Sequence, residues 1–421
     1  MTAPSKRQSS AASAGAQMVL SILDQGVSSV TNFGVVIVAA IALPSHDFGL
    51  FSVVYILTGL VVGGVQAIIG QELVLTRGSR DLIMRRCREA VLFAATLGGG
   101  VGVAFIAFSW LFADLRDSLV VASAGLPFLL VQDTLRYCAS LLHKVKWAVI
   151  SDLLWLAAST ASILGIHFLL RLDGPGVYVA AWVIPGGLTG IVLLPLLRDR
   201  SLPRPSLRRF CSRSYIGYRF AWEFLALRAS SQVLVLLLGA IAGVGVTGAF
   251  RGATTLFGPL TVLILATTSF GAPIVSALQA TQRNLALFLM TVCLLLASLA
   301  LTGVLWLLPA DAGHRILGST WLQAHDFVLA IGAQTAFTCI STVTFLALRI
   351  VEPRATLALR IYPAALMVPL FFSGLWIFGP SGAAWAIALT SGIQCLLAGL
   401  AYSRLHRSGR GIATIDVVGT L

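Results

Sequence analysis

Charged side chains are scarce in this chain: they make up 11% of its 421 residues, against roughly 25% in an average soluble domain. Hydrophobic residues reach 57%, more than a water-soluble fold of this length buries. Lysine is nearly missing, with three among 29 cations, and asparagine occurs twice; we read both as compositional bias. The six cysteines form no CxxC pair and the six histidines are scattered, so neither a disulfide framework nor a zinc site is expected. No ATP-binding loop occurs. Gly243, Gly245 and Gly248 match a dinucleotide fingerprint in letters, but they close an apolar run and no strand precedes them. The expectation is therefore no cofactor and no metal. The first span is expected to stay uncleaved. Residues 1–16 are followed by an apolar segment of about 27 residues, beyond the roughly 7–15 of a signal-peptide core.

What the chain does have is apolar runs of about twenty residues, long enough to cross ~30 Å of hydrocarbon. Twelve are placed, near 17–43, 48–70, 90–113, 119–142, 147–170, 176–197, 221–243, 252–277, 284–308, 322–348, 355–378 and 380–402. Lipid offers no partner to a free backbone group, and the runs do not alternate as barrel strands do, so each is a helix. The net charge of +13 then belongs to loops, not to a nucleic-acid surface. With the N-terminus inside, 23 cations fall in cytoplasmic segments and four in external ones, leaving Arg136 and Arg228 within spans. That split puts both termini in the cytoplasm and makes the number of spans even.

The expected fold class is all-α, a polytopic protein of the plasma (inner) membrane. About 12 transmembrane helices form two pseudo-symmetric six-helix bundles. A cytoplasmic tail (1–16) leads to the first bundle (17–197), a basic cytoplasmic linker (198–220), the second bundle (221–403) and a second tail (404–421). A faint repeat at an offset of 202 residues supports the division: Ser28-Ser29 falls on Ser230-Ser231, Ala40 on Ala242 and Phe48 on Phe250. Arg208 to Arg219 is expected to enforce topology and attract anionic headgroups, with a short amphipathic helix on the membrane surface as the alternative.

A charge at membrane depth costs at least about 2.5–3.5 kcal/mol, so such residues are candidates for function. Asp24, Gln25 and Asn32 lie in the first helix, with Asp24 and Asn32 eight residues apart on one face. That face lines a wet cavity, or else Asp24 is interfacial and Asn32 a packing contact. Arg228 sits near the position in the seventh span equivalent to Asp24, with Glu223 five residues before it. Arg228 is read as a cation able to bind a diphosphate by a bidentate contact, with a structural pair to Asp24 or Glu223 as the alternative. Asp133 and Arg136, at i and i+3 in the fourth span, can pair on one helix face. With Gln132 and Asp152 they make a second polar cluster, most simply a self-contained salt bridge.

Residues 17–75 carry a resemblance. Asp24-Gln25-Gly26, Ser28-Ser29, Asn32-Phe33, Phe48-Gly49 and Gly70-Gln71-Glu72 resemble the polysaccharide flippases of the multidrug/oligosaccharidyl-lipid/polysaccharide exporter superfamily, which move O-antigen units and related lipid-linked sugars. The segment from Phe250 through Gly258-Pro259-Leu260 is similar to the start of their second half. Ile41 departs from the pattern, where such proteins often carry Arg. The resemblance implies a transporter, not an enzyme. It would flip a polyprenyl-diphosphate-linked oligosaccharide from the cytoplasmic to the external leaflet, by alternating access, for cell-surface polysaccharide. Arg228, Arg136, Asn32 and Gln25 would bind substrate, the arginines through charge-assisted contacts to the diphosphate. Asp24, Asp133 and Glu223 would couple or gate. Implied partners are membrane lipid and the glycosyltransferases and polymerase of the same pathway, and no nucleic acid. One alternative is a cation-coupled drug exporter of the same superfamily, with Asp24 as its cation site. Another is a membrane polymerase or glycosyltransferase, against which the short external segments 44–47 and 309–321 argue.

Overall fold

The computed structural model of the protein describes residues 26–407 apart from 171, 173, 200–202, 277 and 352–354. Among them every regular element is a helix. Eight helices are long and apolar enough to cross a membrane, and a bent pair, Val244–Leu256 with Gly258–Thr268 at 56°, makes a ninth. In chain order the helices are α1 (Gly26–Ala42), α2 (Ser45–Leu75), α3 (Arg80–Leu111), α4 (Arg116–Leu141), α5 (Val145–Leu164) and α6 (Pro175–Thr189). The second six begin with α7 (217–242) and α8, the bent pair Val244–Leu256 and Gly258–Ser276. Then come α9 (Ala280–Trp306) and α10 (Trp321–Val351). The last two, α11 (355–378) and α12 (380–407), form one helical run, Ala355–Arg407, broken at Gly379.

Local chemistry sets these ends. Ser79 caps α3 by accepting the Leu82 N–H at 3.4 Å. Pro175 opens α6 at the position where a missing N–H is harmless. Gly379 has φ 66°, a backbone state a side chain disfavours, and the chain doubles back there. The two arms touch through glycine: a Cβ on Gly374 would lie 2.4 Å from the Gly382 carbonyl oxygen. Small residues of this kind let membrane helices approach closely.

The chain divides into two compact units. The first runs through Gln232 and includes Arg315–Thr320; the second holds Val233–His314 and the chain from Trp321 onward. In the first, α4 is the central helix, packed against α2, α3, α5 and α6. In the second, α10 takes that place, against α8, α9 and the Ala355–Arg407 run. α4 and α10 are six crossings apart, so the weak sequence repeat reappears as a packing pattern.

The linker is not the surface helix that stood as the alternative. Residues 207–216 are a series of turns, and helix starts only at Gly217. Phe210, 2% exposed, stacks on Phe93 of α3 with ring centroids 4.3 Å apart. Tyr215 donates to the Ile68 carbonyl at 3.0 Å. Arg209 reaches Glu72 at 3.2 Å and Glu89 at 3.7 Å, and its guanidinium lies over the Phe210 ring. A regular helix along the surface would leave two aromatic rings in water and Arg209 away from its carboxylates. Burying them outweighs the helical periodicity of the cations. Burial, and then the Glu72 carboxylate, hold the Tyr215 phenol well above its usual pKa, against the opposing pull of Arg209.

Candidate functional site

The densest polar cluster lies inside the first unit, around α4. Asp152 of α5 is fully buried, Gln132 likewise, and Asp133 is 5% exposed. Arg136 Nη2 pairs with Asp152 Oδ2 at 2.9 Å, and its Nη1 with Asp133 Oδ1 at 3.5 Å. Gln132 Nε2 donates to Asp152 Oδ1 at 3.2 Å. Gln66 donates to Asp133 Oδ1 at 3.1 Å from a π-helical turn of α2, Gln66–Gly70. Ser151 closes the network by donating to the Thr189 carbonyl at 3.2 Å. The i, i+3 pair expected from sequence is present, and Asp152 makes the stronger contact. Two carboxylates share one guanidinium, so the cluster carries one negative charge more than positive when all three are ionised. Turns of π-helix often mark functional positions, and this one aims an amide at the less tightly paired carboxylate.

Asn32 makes the helix-packing hydrogen bonds of the second reading. Its side-chain oxygen accepts from Tyr55 at 3.2 Å and from Trp182 Nε1 at 3.1 Å, while its amide donates to the Ser28 carbonyl. Tyr55 and Trp182 are in ring contact at 4.4 Å. Asn32 thus ties α1, α2 and α6 together, and both acceptor positions of its oxygen are taken. Asp24 and Gln25 lie outside the described residues. Ile41 is exposed at the end of α1.

Arg228 is exposed on a second π-helical turn, Leu225–Ala229, within α7. Glu223 pairs with Arg219 at 3.6 Å, one helical turn before it, and not with Arg228. Five residues put Glu223 and Arg228 on different helix faces, whereas four put Arg219 and Glu223 on one.

A polar site that the sequence reading passed over lies in the second unit. Arg360 was counted among the loop cations, yet it belongs to α11 and lines a cavity of about 110 Å³. Thr268, Thr338, Ser341, Thr342 and Gln394 supply the rest of the polar lining. The Arg360 guanidinium rests over the Phe345 ring, 4.5 Å from its centre. The available signal was spacing: Thr338, Ser341 and Thr342 fall at i, i+3 and i+4, polar residues on one face of an apolar helix, with Phe345 a turn further on. Among the described residues no group of His, Cys, Asp and Glu is arranged to hold a metal ion.

No protein-family model and no curated protein matches the chain. Solved structures match it in fold. An inward-facing conformation of a multidrug resistance MATE family transporter of the MOP superfamily is similar over 94% of this chain and 95% of its own, at 16% identity and a TM-score of 0.62. An outward-facing conformation of such a transporter covers the same shares at 15% identity and a TM-score of 0.59. A MOP superfamily transporter from Pyrococcus furiosus, whose binding pocket is described as of reverse polarity, covers 93% of this chain and 94% of its own, at 15% identity and a TM-score of 0.59. The chain has the fold of these transporters: an all-α polytopic membrane architecture of two six-helix halves.

Proposed function

We propose that the protein is an alternating-access flippase, moving a polyprenyl-diphosphate-linked oligosaccharide from the cytoplasmic to the external leaflet of the plasma membrane. The observation that carries this reading is Arg228. It is an exposed cation on a π-helical turn just before the apolar helix Ser230–Ala242, in the first helix of the second half. Among the described residues no carboxylate pairs with it. Facing lipid it would be costly; facing a wet cavity it is a ready partner for a diphosphate. The polyprenyl tail stays in lipid while the charged headgroup crosses. The fold's known inward-facing and outward-facing conformations, in the proteins named above, support alternating access. Both termini lie in the cytoplasm, where the linker and its cations meet the enzymes that supply the substrate. Asp133 is the coupling carboxylate, since it is buried, accepts from Gln66 and makes the longer of the two Arg136 contacts. Arg136 serves the site by holding Asp133 and Asp152, and Glu223 by positioning the cytoplasmic start of α7 through Arg219.

The second reading, a cation-coupled drug exporter, draws on the excess carboxylate beside Arg136 and on the multidrug transporters that share the fold. The two separate in proteoliposomes. A fluorescent polyprenyl-diphosphate saccharide should change leaflet with wild-type protein, and Arg228→Ala should slow it by about tenfold or more, the effect of ~1.4 kcal/mol. Active efflux of a cationic dye with no movement of the saccharide would replace the flippase reading by the exporter.

A further inference from the structure

The α2 helix changes register at its π-helical turn, Gln66–Gly70, where the Gln71 N–H reaches back to the Gln66 carbonyl. Turns of this kind are rare, and each carries an extra residue into the helix. Relaxed to ordinary α-helix, the turn would rotate the residues on one side by about 100° against those on the other, the angle of one residue. The turn therefore has two states, and its surroundings choose between them. All of those described here belong to the first unit.

One side of the turn meets the ionic cluster. Gln66, its first residue, donates to Asp133 at 3.1 Å. Gly70, its last, packs on the Tyr137 ring, where a Cβ would come within 2.8 Å of the ring carbon Cζ. Another side meets the linker and the start of α7. The Tyr215 hydroxyl donates to the Ile68 carbonyl, in the middle of the turn, at 3.0 Å. Gly217 lies against that same oxygen: a Cβ there would be 2.2 Å away, so a larger residue fits only if backbone moves. Phe224, on the same helix as Gly217, rests against Gly63 just before the turn. Arg209 holds Glu72 just after it. These contacts bracket the extra residue, and the ones on the Ile68 carbonyl bear on the turn itself. Across the turn from them stands the amide that reaches Asp133.

We propose that the cytoplasmic linker sets the hydrogen bonding of Asp133 through this turn. Docked, Tyr215 and Gly217 keep the turn in the register from which Gln66 reaches the carboxylate. Undocked, the turn relaxes to α-helix and Gln66 swings away from Asp133 with it. Tyr215 is then a positioning residue, acting on Asp133 through the backbone of the turn and the Gln66 amide. The linker in this way regulates the carboxylate assigned above to coupling. Its effect on transport rests on that assignment; its effect on Asp133 does not.

The test uses the full chain in nanodiscs with isotope-labelled aspartate. The infrared band of the Asp133 carboxyl group is isolated by subtracting the spectrum of Asp133→Asn. Gln66→Leu removes the donor and sets the shift that its loss produces. Tyr215→Phe, which keeps the ring and its packing, should move the band the same way, and Gly217→Ala at least as far. Combined with Gln66→Leu, Tyr215→Phe should move it no further, since the two act in series. In proteoliposomes Tyr215→Phe should slow saccharide exchange by about fivefold, the effect of one hydrogen bond. If wild type moves no saccharide, the flippase reading falls and the infrared result still decides this inference. A shifted band with exchange at the wild-type rate keeps the linkage and removes the coupling role of Asp133. A band left in place by Tyr215→Phe in folded protein, or shifts of Tyr215→Phe and Gln66→Leu that add, overturns the proposal.

Discussion

Arg136 stands between Asp133 and Asp152 with little access to water, and its removal takes away the guanidinium that both carboxylates pair with. Breaking a buried pair of this kind typically costs about 3–5 kcal/mol. Arg136→Ala should therefore lower the thermal midpoint in detergent far more than Arg228→Ala, which removes an exposed side chain. Equal midpoints for the two variants would contradict the described burial. Asp133→Asn keeps the shape, and Gln66 can still donate to its oxygen. On the proposed coupling role it should slow transport by about tenfold while shifting the midpoint little; a large midpoint shift with normal transport would make Asp133 structural only. Of the residues marked as candidates in the sequence, Asp133 and Arg136 were legible because three residues on a helix is a contact distance. Asn32 was legible as polar, but its partners Tyr55 and Trp182 are 23 and 150 residues away, and no local pattern announces such a meeting.

The linker shows the same limit for an element. Cations at 208, 209, 213 and 219 have a helical look, yet the segment is held by Arg209 to Glu72 across 137 residues and by Phe210 on Phe93. Periodicity reports only what a segment does by itself. Arg209→Ala should release residues 203–216, read as faster cleavage by protease in detergent and unchanged helix content. A linker as resistant as wild type would remove the clamp. Because the buried Tyr215 phenol is held protonated, the docking should persist through neutral pH and weaken as pH rises past the unfolded value of about 10. The α11–α12 turn makes a second case. Gly382→Leu would drive a side chain into the Gly374 carbonyl, where a Cβ already lies 2.1 Å from its oxygen. Overpacking commonly costs about 1–3 kcal/mol, and a wild-type midpoint would refute so close an approach.

Across the whole molecule, the span count and the two-halved layout were readable because lipid imposes length and composition on every crossing. The pocket at Arg360 was not, since a cation near a helix end reads as a topology signal until the packing shows where it points. The halves kept one plan, with α4 and α10 at their centres, and diverged in chemistry: an ion-pair cluster in one and an arginine-lined cavity in the other. Orientation follows from the loop cations alone, so reporter fusions after residue 16 and after residue 404 should both report a cytoplasmic location. The central claim is that the exposed Arg228 carries an anionic lipid-linked headgroup across the bilayer. Leaflet exchange of a fluorescent polyprenyl-diphosphate saccharide in proteoliposomes tests it most directly. Wild type should exchange the saccharide, Arg228→Lys should do so in part, and Arg228→Ala should lose about tenfold or more. Exchange by Arg228→Ala at the wild-type rate would contradict it.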